Sequence, residues 1–543
     1  MNFVNVDQLS PRQRAAYDSP AKRLLVKGGP GSGKTAVALL KARRLLEDEP
    51  PTSARRVLFL SLTRAATAEV ANRVPRVLAG SLGGRIEMAT FHSFALSVLD
   101  GFRRYNGQGS EPVVLVSEAE DKLGLAPTGG LKFDDLLAAT HRLFDAVPWI
   151  EELHAHRYLA VMCDEFQDST DEQVHLLERL ASKATLICLA DPYQEIYTAF
   201  VPGTRRDRIQ RLANSGGVEI VDLKSASFRD PSLVIPRAAE AIRNRSFNAP
   251  EVELALAQGR LRVRQASNDV SYLDALEDAI RELGPSQTRT VGVFLRANVS
   301  VTEFAGHLRD AGIEHEIVGL DAASGEAQLA AAAIAQHAIG TGEWTSALRA
   351  LGLFDAASIR GNPESRARNL VHDPRLLPLG LQNRLDVAKD QFAEMAGLPL
   401  LEFLTAVQAF WGEQFTPRGR KLWERGIDDL IGQTLATAFA PLNEQTVELV
   451  TRVARDRRRF SSIDTFVGAL SPVRLMTTYQ CKGREMDAVV IAQMPNERPP
   501  DADRWDVATR VHFVNLTRAR DVAVVLIPPQ PNDFYEPYLS LLN

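Results

Sequence analysis

Cysteine is nearly missing from this chain: Cys163, Cys188 and Cys481 are the only three in 543 residues. Their separation excludes a disulfide framework and the paired spacing of a zinc site, and it fits a reducing, cytoplasmic compartment. Long apolar runs are also missing. No stretch approaches the roughly 20 residues that cross a bilayer, and the N-terminus lacks a secretory-signal pattern, so no membrane partner is expected. An excess of positive charge is absent too. The net charge is −5 and the isoelectric point about 6.1, which argues against a generally basic nucleic-acid coat and leaves only a local groove for any DNA contact. There is no internal repeat and no low-complexity segment. What remains is 45% hydrophobic and 24% charged, an ordinary globular balance.

Against that background one stretch stands out, Gly28-Gly29-Pro30-Gly31-Ser32-Gly33-Lys34-Thr35. It fits the phosphate-binding loop pattern of Gly, four residues, then Gly-Lys-Thr. Leu24-Leu25-Val26 before it suits a buried strand, and Ala36 to Leu46 after it is patterned as a helix. Glycines let backbone N–H groups turn inward around phosphates, and the helix N-terminus adds partial positive charge. Lys34 would reach the β and γ phosphates of ATP, and Thr35 would hold Mg²⁺.

A second strong motif is Leu159-Ala160-Val161-Met162-Cys163-Asp164-Glu165. An apolar strand delivers two adjacent carboxylates, one suited to a Mg²⁺ shell and the other to orienting and deprotonating water. The run from Thr185 to Tyr197 repeats the strand-to-loop pattern, placing Gln194 near a γ-phosphate and Tyr197 near a bound strand. Ahead of the phosphate loop, Gln13 carries an amide able to read an adenine edge. Val57 to Leu62 and Ile86 to Ala89 are further strands, ending at Thr63 and at Thr90-Phe91-His92-Ser93-Phe94. Thr63, Thr90 and Ser93 suit backbone phosphates and Phe91 suits a base; strand-end caps and a core aromatic are the plainer reading, preferred for Phe94. A second α/β unit begins near Val218, and the region from Leu320 to Pro472 is mostly helical. Within it, Arg452, Arg455, Arg457, Arg458 and Arg459 read first as a solvated helix face.

The order of these motifs resembles the UvrD/Rep/PcrA-like superfamily 1 DNA helicases along nearly the whole chain. The resemblance implies an α/β fold of two RecA-like phosphate-loop domains with parallel sheets, each carrying a mostly helical insertion. The divisions it implies are 1–94, 160–217 for the first domain with insertion 95–159, then 218–319 and 473–543 for the second with insertion 320–472. Both insertions are short for the family, a layout similar to the helicase subunit of the Gabija anti-phage system. By position, Gln13 and Phe228 would hold adenine, Lys34 and Thr35 the phosphates and Mg²⁺, and Asp164 the metal. Glu165 would be the general base, Gln194 the γ-phosphate sensor, Arg229 and Arg518 cations from the second domain, and Glu485 the link from nucleotide to DNA. Thr63, Arg64, Phe91, His92 and Tyr197 would lie along the DNA.

The chain also departs from the family. Tyr197 is followed by Thr198, Ala199, Phe200 and Val201 instead of the usual Trp and Arg. Leu62 replaces an aromatic, Arg64 an Asn, and Tyr479 a His. The implied activity is ATP-driven 3′ to 5′ movement on single-stranded DNA or a 3′-tailed duplex. The alternative is a DNA- or nucleotide-sensing ATPase subunit of a nuclease or anti-phage defence complex. The departures point to a weak grip on DNA that a protein partner such as a nuclease would complete. A transporter-type ATPase is disfavoured, because no Leu-Ser-Gly-Gly signature precedes Asp164.

Overall fold

The four inner strands of the first sheet are short apolar runs buried along almost their whole length, the pattern of a parallel sheet covered on both faces, while the two edge strands are more exposed. In the computed structural model the six strands of this sheet lie in the order Ile86–Thr90, Arg56–Ser61, Tyr158–Cys163, Thr185–Ala190, Arg23–Lys27, Val218–Asp222, all parallel. The structure describes residues 6–50, 52–78, 80–105, 113–127, 129–197, 201–223, 232–268, 271–318, 322–359, 365–461, 471–501 and 504–542, without the side chains of 64, 65, 68, 69, 72, 76, 80, 81, 322, 436 and 456–461. Alternate residues of each strand feed opposite cores. Leu24, Val26, Phe59, Met162 and Leu189 pack against the phosphate-loop helix Lys34–Glu47, while Leu25, Leu58, Val161 and Cys188 pack on the other face.

The second sheet repeats this plan with strands His315–Ile317, Val473–Thr477, Val291–Leu295, Met486–Ala492, Ala519–Ile527 and Leu261–Gln265, again all parallel. Two parallel α/β sheets, each flanked by helices, are the RecA-like arrangement. The polypeptide leaves the second sheet after Ile317 and re-enters at Val473, on neighbouring strands. Between them lies a helical body with its own core, which includes Trp344, Trp411 and Trp423.

Three expectations are corrected. Val218–Asp222 does not open the second unit; it pairs with Arg23–Lys27 and closes the edge of the first sheet. Much of the expected insertion 95–159 is not separate either. Helices Phe91–Gly101, Leu136–Ala146 and Pro148–Arg157 bury Phe94, Leu143, Phe144 and Ile150 in the first domain's core. The pattern is helical there because an amphipathic helix on a sheet face looks the same in sequence as one in an insertion. The part that projects includes a small parallel pair, Leu115–Val116 with Leu131–Lys132, where no sheet was expected. It touches the second insertion. Ala119 and Leu123 pack on Leu353, Ala356 and Ala367, and Lys122 Nζ donates to the Ile359 carbonyl at 2.9 Å.

Candidate functional site at the interdomain cleft

The strand Arg23–Lys27 ends where the Gly28 N–H donates to the Ala190 carbonyl of its neighbour at 3.1 Å. The loop that follows turns on Gly31 and Gly33, with φ of 73° and 85°, a region that favours glycine. A Cβ on Gly28 would lie 2.4 Å from Ser32 Oγ, so that position has no room for a side chain. Gly33 is the N-cap of helix Lys34–Glu47 and offers no side-chain cap, so the first-turn N–H groups face the loop uncapped. Lys34 Nζ donates to the carbonyls of Gly28 and Gly29 at 2.7 and 3.0 Å and lies 3.7 Å from Asp191.

Across from it, Thr35 Oγ1 donates to Asp164 Oδ2 at 3.2 Å. Two hard oxygen donors from separate elements thus meet beside the loop, a set suited to Mg²⁺. Burial, and then the adjacent Glu165, push the Asp164 carboxyl up, against the pull of Lys34. Glu165 turns the chain sharply at φ 54°, a left-handed conformation that is uncommon for a non-glycine residue and marks functional bends. Burial raises its pKa, but Lys482, Lys34, the Gln167 hydrogen bond and Arg518 together outweigh that and hold the carboxyl below its ordinary value. Gln167 Nε2 donates to Glu165 Oε2 at 2.5 Å, and Gln167 Oε1 accepts from the Asp191 N–H at 3.0 Å. That amide ties Glu165 to the end of the next strand.

Gln194 completes the edge. Its Nε2 donates to Asp191 Oδ2 at 2.8 Å, and its Oε1 accepts from Arg518 Nη2 of the second domain at 3.0 Å. The structure therefore brings Lys34, Thr35, Asp164, Glu165, Gln194 and Arg518 to one cleft. Glu485 also faces it from the second domain, held by Arg520 at 3.1 Å and by Arg73 of the first domain at 3.4 Å. Arg229 and Phe228 lie outside the described residues, as does the side chain of Arg64.

Gln13 lies beside the phosphate loop. It is buried against the loop, its Nε2 donating to the Ser32 carbonyl at 2.9 Å and its Oε1 accepting from the Ser10 N–H at 2.9 Å. The amide closes a capping box for the helix Pro11–Asp18 and braces the phosphate loop, so both of its ends are engaged within the protein.

The expected DNA-facing residues divide differently. Phe91 does not face a groove: it is 1% exposed and lies in the core with Leu60, Phe94 and Phe166. The reason is local. Helix Phe91–Gly101 starts at the strand end, so its first side chain folds back onto the sheet. His92 stacks on Phe133 with ring centroids 4.2 Å apart, and burial lowers its pKa. Thr63 Oγ1 accepts from the Ala66 N–H at 3.2 Å, and Thr90 and Ser93 form a capping box, so these hydroxyls serve as helix caps. The Tyr197 hydroxyl donates to the Tyr479 carbonyl of the second domain at 3.3 Å, with the Lys482 ammonium 5.2 Å from its ring centroid.

Lys482, Asp168 and Gln167 are central here, and the sequence motifs assign them no role. Gln167 and Asp168 closely follow Glu165, and Lys482 lies between Tyr479 and Glu485; the signal is a lysine before Gly483 and a carboxylate four residues after Asp164.

Known proteins resemble this chain in sequence. Residues 9–125 and 116–200 match the family model of the UvrD/REP helicase N-terminal domain. ATP-dependent DNA helicase PcrA of Bacillus subtilis is 22% identical over 386 residues, covering 59% of this chain and 52% of that protein. PcrA of Staphylococcus aureus is 26% identical over 314 residues, covering 45% and 41%. DNA helicase II of Escherichia coli is 24% identical over 298 residues, covering 44% and 41%. The chain thus spans about half the length, or less, of these relatives. Among solved structures, the Pif1 helicase of Candida albicans is similar at 14% identity and a TM-score of 0.29, covering 55% of this chain and 53% of that one. A score that low carries no weight; the fold rests on the sheets themselves. Among the described residues, no helix is long and apolar enough to cross a membrane.

Proposed function

We propose that the chain is a UvrD/Rep/PcrA-like protein of helicase superfamily 1 and, on that premise, an ATP-dependent DNA motor. It hydrolyses ATP between its two sheets and moves on single-stranded DNA. The observation that carries the proposal is the bond from Arg518 of the second domain to Gln194, at the edge that also holds Thr35, Asp164 and Glu165.

The residues present fit the nucleotide and the metal. The glycine loop and uncapped helix N-terminus suit phosphates, Lys34 suits the β and γ oxygens, and Thr35 with Asp164 suits Mg²⁺. Mg²⁺, when bound, draws charge from the phosphate oxygens. Glu165 orients the attacking water and takes its proton. Gln194 meets the γ-phosphate or that water, and Arg518 offsets charge that grows on the transferring group. Phosphoryl transfer spreads negative charge over the equatorial oxygens, so a cation from a second domain lowers the barrier only when the cleft is closed. Closure then follows ATP and opening follows hydrolysis, which is a ratchet on a bound strand. Movement 3′ to 5′ is the direction the family resemblance implies.

The test is ATP turnover with Mg²⁺, measured with and without single-stranded DNA, beside strand displacement on a 3′-tailed duplex. The proposal expects turnover that DNA stimulates. Absence of Mg²⁺-dependent hydrolysis in both conditions would overturn it. Strong hydrolysis with little unwinding would favour a chain whose grip on DNA is completed by a protein partner.

A further inference from the structure

The loop after Asp191 belongs to the first sheet, yet each of residues 193–197 is bound to the second domain. The Tyr193 ring lies under the Arg243 guanidinium, 4.3 Å from ring centroid to Cζ. Gln194 accepts from Arg518, and Glu195 pairs with Arg510 at 3.3 Å. Ile196 is fully buried in the second domain's core with Val234, Ile235 and Val507. Tyr197 donates to the Tyr479 carbonyl. This five-residue tongue is seated in the second domain.

Lys482 makes the reverse crossing. It leaves the loop after strand Val473–Thr477 of the second domain, is 5% exposed, and bonds first-domain groups. Its ammonium donates to Asp168 Oδ2 and to the Gln194 carbonyl, and lies 3.7 Å from Glu165 Oε2. Asp168 is itself 3% exposed. A buried carboxylate without a counter-ion is costly, and here the counter-ion comes from the other domain. Unseating the second domain would strip Asp168 of its counter-ion and release the root of the tongue together.

We propose that Lys482 is a positioning residue for the hydrolysis step. It ties the turn carrying Glu165 to the tongue carrying Gln194 only while the second domain is seated. Base, sensor and Arg518 then come into register in one closure rather than independently. This rests on the reading of Asp164 and Glu165 as the hydrolytic pair.

The test uses the full chain with Lys482→Met, Asp168→Asn and the double variant. Readouts are kcat and KM for Mg-ATP, affinity for a fluorescent ATP analogue, and hydrogen exchange of residues 193–197 without nucleotide. Lys482→Met should lower kcat by about 10²-fold, the scale of a small misplacement of reacting groups. Analogue affinity should hold within about threefold, a difference under 1 kcal/mol. The double variant should be no worse than Lys482→Met, because the two side chains act as one pair. Exchange at 193–197 should rise. If Lys482→Met does not fold, the double variant, which leaves no unpaired buried charge at this pair, decides by the same kcat criterion. A kcat within about threefold of wild type, or a rise in KM alone, overturns the proposal. If wild type itself hydrolyses no ATP, the functional reading fails while exchange still decides the latch: faster exchange supports it and unchanged exchange overturns it.

Discussion

Three helices leave the same edge of the first sheet, and they begin in two different ways. Helices Arg64–Val77 and Phe91–Gly101 start behind Thr63 and Thr90, whose hydroxyls accept first-turn N–H groups. Helix Lys34–Glu47 starts behind Gly33 in a left-handed turn, with no side-chain cap at all. A capped helix end has used a donor that an anion would otherwise take, whereas an uncapped one keeps its donors and its partial positive charge for a ligand. The comparison separates the nucleotide edge from its neighbours on chemistry alone. Threonine at a strand end is equally consistent with a DNA contact and a cap, and here the hydroxyls are engaged as caps.

The largest expected effect sharpens the nucleotide side. Arg518→Ala should lower turnover per folded molecule by about 10³-fold or more, the scale of an arginine that meets transition-state charge. Steady-state kinetics normalised to folded protein checks it, and near-normal turnover would remove Arg518 from the reaction. The next effect probes the other side. Phe91→Ala should cost about 3–5 kcal/mol of stability, as for any large core aromatic, measured by chemical denaturation. A stable variant that loses only DNA affinity would return Phe91 to the groove.

A third prediction concerns pH at the tongue. Burial first, then the nearby Asp168, raise the Glu195 carboxyl to about 7 against the pull of Arg510 and Arg206. A raised carboxyl favours the folded state most when protonated. That contribution is complete below its ordinary range near 4.5 and is lost as pH climbs through about 7. Melting temperatures from pH 5 to 8 should therefore fall less steeply for Glu195→Gln than for wild type, and parallel curves would contradict the assignment. The smallest effect is Thr63→Ala, which should cost about 1 kcal/mol of stability as a lost cap. A larger loss in single-stranded DNA affinity than in stability would show that Thr63 also grips a phosphate.

How much of this was legible in the sequence follows from the same contrast. The phosphate loop and the Asp164–Glu165 strand end are local patterns, so their positions could be read directly. The fate of Gln13 could not, because its partner is the Ser32 carbonyl, reached only once the loop is folded. Sequence alone puts the start of a second domain near Val218, because strand character carries no information about which sheet accepts Val218–Asp222. Lys482 was invisible in role because its partners, Asp168 and Gln194, are about 300 residues away in sequence and in another domain. Hydrophobic periodicity gives faces; long-range charge pairing appears only in the folded cleft.

The central claim is that this cleft hydrolyses ATP with Glu165 as base. The most direct measurement is Mg²⁺-dependent ATP turnover by wild type and Glu165→Gln, with analogue binding measured in parallel. The account predicts that Glu165→Gln binds nucleotide like wild type and turns over about 10²–10⁴-fold more slowly, the range for loss of a general base. Turnover by Glu165→Gln equal to wild type, at equal nucleotide affinity, would contradict it.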